Sequence, residues 1–129
     1  TPEQLGELSD FISIDVAFIS LDKVLPVAVT LLKDSGSLVA LIKPQFEAGR
    51  DKVGKGGIVR DKAVHKEVLD RILHVAEDAG LYLHGLTYSP IKGTEGNIEF
   101  LGFFTKQAAN AIAITSELLD NVVEEAHTL

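Results

Sequence analysis

Short apolar, β-branched runs alternate along the chain with segments whose apolar residues recur at helical spacing. Residues 11–15 and 38–42 are typical of strands buried on both faces. Between them, residues 21–33 have the spacing of an amphipathic helix, with Ser20 available as N-cap and Gly36 just beyond its end. A strand, a helix and a strand in this order predict two parallel strands joined by a right-handed crossover.

The second half of the chain predicts two further helices and a pair of strands. Asp61 caps an amphipathic helix that runs to about Ala79. Residues 81–88 and 97–105 predict strands around a turn-rich connector, which permits an antiparallel pair. Residues 106–127 predict a last helix, most of whose buried side consists of Ala109, Ile112, Ala113, Leu119, Val122, Val123 and Ala126.

Residues 44–60 separate the two halves and predict a long loop, because they hold four glycines and show no sustained periodicity. Irregular segments of this length inside a compact domain are usually functional. The complete order of elements predicts the α/β fold class, as the second half of a doubly wound sheet that ends in an antiparallel hairpin.

The composition is that of one globular domain. The chain has 129 residues, of which 46% are hydrophobic, with charges of both signs, and this excludes intrinsic disorder. The absence of cysteine excludes disulfides, zinc ribbons and thiol nucleophiles. The most apolar stretch, residues 38–42, is far shorter than the roughly 20 residues that cross a bilayer. Because the chain begins at Thr1 and has no methionine, we expect it to be a piece of a longer protein.

The charges are distributed unevenly. Residues 43–62 carry six basic and three acidic side chains, whereas the rest of the chain carries six basic and sixteen acidic ones. A basic, glycine-rich loop on an acidic domain is suited to binding phosphates through its lysines, its arginines and the backbone amides of its glycines. A solvated loop whose lysines only confer solubility explains the same composition, and the pattern does not separate the two interpretations.

Three charged residues stand out as candidates for chemistry. Asp15 and Lys43 end the first two predicted strands, at the edge where open α/β sheets bind their ligands. An ion pair there would orient the lysine for a reaction, or it would be a purely structural pair at the rim of the sheet. Glu99 lies on a predicted strand between apolar neighbours, and a solvent-facing or edge-strand position is the simpler interpretation.

Other common sites find no support in the pattern. The four histidines show neither HExxH spacing nor cysteine partners, so no metal site is predicted and most of them are expected on solvated faces. Ser20 and Ser89 lack the GxSxG elbow of serine hydrolases. The phosphate-binding pattern GxxxxGK[ST] does not occur.

Four blocks of sequence together resemble a known family. They are DVAFISL at 15–21, IKPQFEAG at 42–49, VGKGGIVRD at 53–61 followed by His65, and Ser89–Pro90 with GNIEF at 96–100. In this order and at this spacing they resemble the TlyA, or hemolysin A, family of FtsJ-like methyltransferases, and they cover nearly the whole chain.

The resemblance implies the C-terminal portion of a Rossmann-like methyltransferase sheet, with parallel strands, an antiparallel hairpin and helices on both faces. It implies 2′-O-methylation of ribosomal RNA ribose with S-adenosylmethionine as cofactor, ribosomal RNA or ribosomal subunits as partners, and a cytoplasmic location. An S4-like RNA-binding domain and the glycine-rich cofactor turn are expected upstream of Thr1, so the cofactor-binding residues are expected there too. This chain alone is therefore expected to be inactive.

The family has a catalytic set of Lys, Asp, Lys and Glu, and Asp15, Lys43 and Glu99 match its last three members. The ribose hydroxyl must lose its proton as it attacks the methyl group, so Lys43 would act as a base or as a cation that stabilises the alkoxide. Asp15 would position Lys43, and Glu99 would orient the lysines or the ribose. The loop residues expected to hold the RNA backbone are Arg50, Lys52, Lys55 and Arg60.

Two other functions remain open at the level of the sequence. One is membrane lysis, as the name hemolysin implies, but anionic lipid would repel a last helix that carries Glu117, Asp120, Glu124 and Glu125. The other is an RNA-binding module that keeps the fold without the reaction.

Overall fold

The computed structural model describes residues 8–15, 20–47, 61–89 and 97–128, which form four strands and four helices. The strands are β1 (Ser9–Ile14), β2 (Leu32–Ile42), β3 (Tyr82–Tyr88) and β4 (Phe100–Thr105). The helices are α1 (Leu21–Thr30), α2 (Pro44–Glu47), α3 (Lys62–Asp78) and α4 (Ser116–Ala126).

The four strands form one mixed sheet in the order β1-β2-β4-β3. β1 and β2 are parallel, as α1 connects them, and β4 is antiparallel to both β2 and β3. The predicted α/β class, with a parallel pair and an antiparallel hairpin, is confirmed. β2 lies inside the sheet, with β1 as its neighbour on one side and β4 on the other.

Alternate residues of β2 form the centre of the core. Leu38 and Ile42 are completely buried, and the register places them beside Phe104 and Phe100 of β4. α3 covers this face and contacts both α1 and α4, so the three longer helices lie over the same side of the sheet. Their main buried residues are Leu21, Leu25, Ala28, Val68, Leu69, Ile72, Leu73, Ala76, Leu119, Val122, Val123 and Ala126.

The other face of the sheet is more open. Phe11 of β1 is 56% exposed and Phe103 of β4 is 38% exposed. Val39 of β2 pairs with Phe103, and none of the three belongs to the buried cluster. The three longer helices in the described ranges all cover the first face of the sheet. The presence of helices on this second, more open face therefore stays a prediction.

A histidine pair joins the beginning of α3 to the end of α4. His65 Nδ1 lies 2.8 Å from His127 Nε2, and the His65 ring meets the ring of Phe100 edge-on at 5.6 Å. One imidazole donates an N–H and the other accepts it at this contact. The prediction of a solvated face is wrong for His65, which is completely buried, because its side of α3 faces the sheet.

The predicted helix starts are confirmed. The Ser20 hydroxyl accepts a hydrogen bond from the Asp22 amide, and the Asp61 carboxylate accepts one from the Ala63 amide at 2.8 Å. After α3 the backbone reaches Gly80 with a φ of 97°, a conformation that favours glycine. These local signals are reliable because each one satisfies backbone groups that the helix itself leaves unpaired.

The boundary between α1 and β2 lies earlier than predicted. α1 ends at Thr30, and β2 begins at Leu32 instead of residue 38. Gly36 does not end the helix but lies inside β2, where an added Cβ would come within 2.6 Å of Leu32 Cδ1 and 2.9 Å of the Asp10 carbonyl oxygen. The glycine therefore serves the close approach of β1 and β2.

The predicted last helix is wrong over its first ten residues. Residues 106–115 are irregular, and α4 begins at Ser116, where the Thr115 hydroxyl accepts a hydrogen bond from the Leu118 amide at 3.1 Å. The Ile112 amide donates to the Leu83 carbonyl of β3 at 2.7 Å, and Asn110 has a φ of 64°. A hydrogen bond to the sheet thus takes the place of a hydrogen bond within a helix. The residues predicted to be buried there (Ala109, Ile112 and Ala113) are exposed.

Two other segments complete the description. Residues 44–47 form α2 instead of a loop, and the rest of the predicted loop, residues 48–60, lies outside the described residues. None of the helices in the described ranges is long and apolar enough to cross a bilayer.

His74 on α3 generates a prediction about stability and pH. A hydrogen bond with the Asp70 carbonyl oxygen, at 2.8 Å from Nδ1, raises the pKa of His74 above its usual 6.5. Burial opposes this shift, and the negative charges of Asp70, Glu77 and Asp78 add to it. A raised pKa stabilises the fold below the unfolded-state pKa, and this contribution is lost as the pH rises through the folded-state pKa.

We expect His74→Ala to lower the free energy of unfolding by about 0.3–0.5 kcal/mol near pH 5 and by less near pH 8.5. The effect is small because the side chain is half exposed and solvent screens the interaction. Urea unfolding at the two pH values measures it, and Asp70→Asn should shrink the difference. Equal losses at both pH values would contradict the assignment.

Candidate active site

The carboxyl ends of β1 and β2 bring two of the predicted site residues into contact. Asp15 follows β1 and Lys43 follows β2, and because these strands are parallel both residues lie at the same edge of the sheet. Lys43 Nζ lies 2.5 Å from Asp15 Oδ1. The lysine side chain is 16% exposed and the aspartate side chain 62% exposed, so the ion pair faces outward from a mostly buried lysine.

Glu99 lies beside this pair in the register of the sheet. The last pair between β2 and β4 is Ile42 with Phe100, so Lys43 and Glu99 occupy the next position along the ladder. Glu99 is 8% exposed, and β4 lies between β2 and β3. Neither a solvent-facing nor an edge-strand glutamate is therefore found here, and a buried carboxylate needs partners.

One partner of Glu99 comes from α2, the single turn that follows Lys43. Gln45 Nε2 donates a hydrogen bond to Glu99 Oε2 at 2.9 Å. The Glu99 carbonyl oxygen accepts a second bond from the Ser89 amide at 2.8 Å. The segment after β2 thus reaches across to the start of β4 and ties the two together.

The second buried carboxylate of the site belongs to Glu47, the last residue of α2. Its side chain is 3% exposed and lies at the start of α1, where Oε1 accepts the Ser20 hydroxyl and Oε2 accepts the Leu21 amide at 2.9 Å. Arg71 of α3 lies 3.5 Å from Glu47 Oε1 and also donates to the Glu47 carbonyl oxygen. A negative charge at a helix N-terminus is favourable, and here it also joins α1, α2 and α3.

The sequence pattern did not predict the roles of Gln45, Glu47 and Arg71. Gln45 and Glu47 lie in a segment without periodicity, and Arg71 has the spacing of an ordinary surface residue on an amphipathic helix. A signal was present for Glu47, which lies five residues after the end of β2, in the block that carries the family resemblance. Only the fold shows that it meets Ser20, since the two are 27 positions apart.

The remaining predicted site residues are not tested by this geometry. Arg50, Lys52, Lys55 and Arg60 lie outside the described residues. In the part of the chain that the structure describes, no group of three or more His, Cys, Asp or Glu side chains is placed to hold a metal ion.

The Glu47 contacts predict a large effect on stability. Glu47→Ala leaves the Ser20 hydroxyl, the Leu21 amide and Arg71 without this partner, so we expect the free energy of unfolding to fall by about 2–3 kcal/mol. Urea unfolding measures the loss. Glu77→Ala, an exposed glutamate on α3, is the matched control and should change stability by less than about 0.5 kcal/mol. Similar losses in the two variants would show that Glu47 does not tie the three helices together.

Comparison with known proteins identifies the family to which this chain belongs. The family described as FtsJ-like methyltransferase matches residues 1–106. YqxC of Bacillus subtilis (strain 168), whose name assigns it provisionally to the rRNA methyltransferases, is 47% identical over 122 residues, which cover 93% of this chain and 43% of YqxC. The 16S/23S rRNA (cytidine-2'-O)-methyltransferase TlyA of Mycobacterium tuberculosis (strain ATCC 25618 / H37Rv) is 34% identical over 113 residues, 88% of this chain and 42% of its own.

A solved structure shares the fold. It is a Streptococcus thermophilus protein provisionally named a hemolysin, with a TM-score of 0.85 and 45% identity over 94% of this chain and 43% of that one. The chain thus spans less than half the length of the relatives it matches. The resemblance to the TlyA group is confirmed, and the chain belongs to the FtsJ-like methyltransferase family.

Proposed function

We propose that this chain is the C-terminal catalytic part of a longer protein that methylates the 2′-hydroxyl of ribose in ribosomal RNA. The observation that carries the proposal is the 2.5 Å ion pair between Asp15 and a mostly buried Lys43, with Glu99 next to it in the register. The name of the mycobacterial relative, a 2'-O-methyltransferase of 16S and 23S rRNA, supports this choice of reaction.

The residues suit a reaction in which negative charge develops on an oxygen atom. As an ammonium paired with Asp15, Lys43 can donate a hydrogen bond to the ribose oxygen while that hydroxyl group loses its proton. Its side chain is only 16% exposed, and reduced contact with water strengthens such an interaction. Asp15 fixes the direction of the lysine, and Glu99 is held by Gln45 in a position to orient the ribose or a second lysine.

Hydrogen bonding to Asp15 would also compete with proton acceptance by Lys43, since a lysine accepts a proton only in its neutral form. The ion pair therefore favours the second of the two roles considered for this residue, a cation that stabilises the alkoxide. In that case the proton of the hydroxyl leaves to another acceptor. We propose the buried carboxylate of Glu99, at the next position of the β2–β4 ladder, for this role, since Asp15 is already paired with Lys43.

The described residues fit the RNA side of such a site better than the cofactor side. S-adenosylmethionine would supply the methyl group when bound. A shallow cavity of about 340 Å³ lies between β1 and α1, but its lining is mainly apolar and contains one charged side chain, Asp15. Ser13 and Asp15 are the polar side chains of that lining, too few to hold the amino acid and adenosyl parts. We propose that a glycine-rich turn outside this chain supplies the others.

The RNA itself would be held by the basic loop. Arg50, Lys52, Lys55 and Arg60 come 3 to 13 positions after Glu47, the last residue of α2, and α2 itself begins directly after Lys43 in the sequence. The affinity of such contacts falls as the salt concentration rises, because lysines and arginines that bind phosphates release the counterions of the RNA. We propose ribosomal RNA or a ribosomal subunit as the partner, and the cytoplasm as the place where the two meet.

Lys43→Ala in the full-length protein tests the catalytic assignment. We expect transfer of labelled methyl groups to ribosomal subunits to fall by about 100-fold or more, because the cation at the reacting oxygen is lost. Lys33→Ala is the matched control: Lys43 follows the last residue of β2, whereas Lys33 lies at the other end of that strand, where it pairs with the exposed Asp10 at 3.1 Å. Full activity of Lys43→Ala would contradict the assignment, and RNA binding without methyl transfer by the unaltered protein would indicate a non-catalytic module instead.

The cofactor side is tested with the chain by itself. We expect isothermal titration calorimetry to detect no binding of S-adenosylmethionine to residues 1–129, because the cavity is mainly apolar and its one charged side chain, Asp15, is already paired with Lys43. The full-length protein titrated in parallel is the positive control. Micromolar binding to the isolated chain would place the cofactor site within it and refute this part of the proposal.

A further inference from the structure

Gln45 occupies an unusual position in the site. It lies two residues after Lys43, and its Nε2 is 2.9 Å from Glu99 Oε2. Its other polar atom, Oε1, is buried and accepts no hydrogen bond from any residue that the structure describes. Of the buried side-chain nitrogen and oxygen atoms in these ranges, this is the one that has no partner.

The orientation of the Gln45 amide follows from chemistry. An ionised carboxylate can only accept hydrogen bonds, so the amide must turn its NH₂ group toward Glu99. A flipped amide would bring two acceptor oxygens together. The carbonyl oxygen is therefore directed away from Glu99, and a rotation that satisfied it would break the bond to the carboxylate.

An unpaired buried acceptor lowers stability, so its presence beside a candidate active site calls for an explanation. A leucine of similar size would remove that penalty, but it would also remove the donor to Glu99. A neutral amide carbonyl selects its ligand clearly: it accepts a hydrogen bond from an O–H or N–H group and repels phosphate and carboxylate oxygens. In an RNA substrate, the sugar supplies such a donor through its hydroxyl.

We propose that Gln45 is a positioning residue with two functions: its NH₂ group holds the Glu99 carboxylate, and its carbonyl oxygen accepts a hydrogen bond from a ribose hydroxyl of the bound RNA. This inference rests on the proposed function, because the ribose is the substrate group assumed there. It adds Gln45, a residue outside the Lys-Asp-Lys-Glu set, to the proposed site. It also explains why Glu99 keeps one orientation, since the Gln45 amide holds its carboxylate.

Three variants of the full-length protein test the role in catalysis. Gln45→Leu removes both contacts at nearly constant size, and we expect kcat for methyl transfer to fall by about 10–100-fold with a higher KM for RNA. Gln107→Leu is the matched control. Gln107 follows β4, away from the site, and its side chain donates to the carbonyl of Asp34 near the start of β2 at 2.8 Å. This control should leave kcat and KM unchanged.

Gln45→Glu separates positioning from a merely structural role. A second carboxylate against Glu99 has to share a proton with it, and a shared proton restores the lost hydrogen bond. We therefore expect the kcat of this variant, divided by that of the unaltered protein, to rise as the pH falls, while the same ratio for Gln45→Leu stays constant. The charged residues nearest to Gln45 in the sequence are Lys43, just before α2, and Glu47, the last residue of α2, and both are the same in every variant.

A measurement without turnover separates failure of this inference from failure of the proposed function. In the NMR spectrum, the side-chain NH₂ resonances of Gln45 should shift when Glu99→Ala removes the acceptor. Inactivity of the unaltered protein would refute the methylation proposal but leave this contact testable. Unchanged NH₂ resonances, full activity of Gln45→Leu, or pH-independent activity ratios for Gln45→Glu would each overturn the role of Gln45.

Discussion

β2 pairs with a parallel strand on one side and an antiparallel strand on the other, and the candidate site depends on this double pairing. The parallel pairing with β1 brings Asp15 and Lys43 to one edge. The antiparallel pairing with β4 brings the start of that strand, and with it Glu99, to the same edge. A shift by one residue in either ladder would turn the side chains of a strand to the opposite face, so the register that buries Leu38 and Ile42 also positions the site.

α2 completes what the sheet begins. Within one helical turn, Gln45 reaches Glu99 and Glu47 reaches the start of α1, so the segment after Lys43 connects both sides of the site. The two carboxylates are buried in different ways. Glu47 has hydrogen-bond donors at both oxygens and an arginine nearby, as a structural charge requires. Glu99 is held by an amide whose own carbonyl oxygen is unpaired, which is more typical of a site that awaits a ligand.

Prediction from the sequence succeeded where neighbouring residues decide the structure. Ser20 and Asp61 cap their helices because the groups they satisfy lie two residues away. Prediction failed where a distant strand competes for the backbone. Residues 106–115 have a helical pattern, yet the Ile112 amide bonds to Leu83, a strand residue 29 positions earlier in the sequence. Gly36 shows the same limit, since its role depends on how closely β1 approaches.

The sequence by itself determined the α/β class, the order of the four strands and the three longer helices, and the placement of Asp15 and Lys43 at strand ends. These features follow from periodicity and local chemistry. The basic segment around residues 50–60 is likewise a property of composition alone. Only the tertiary structure decided that Lys43 and Asp15 form an ion pair and that Glu99 is buried. It also decided that Gln45 bonds to Glu99 and that Glu47 bonds to the start of α1. Those contacts join residues up to 54 positions apart, and they arise from strand register and close packing, which no local pattern encodes.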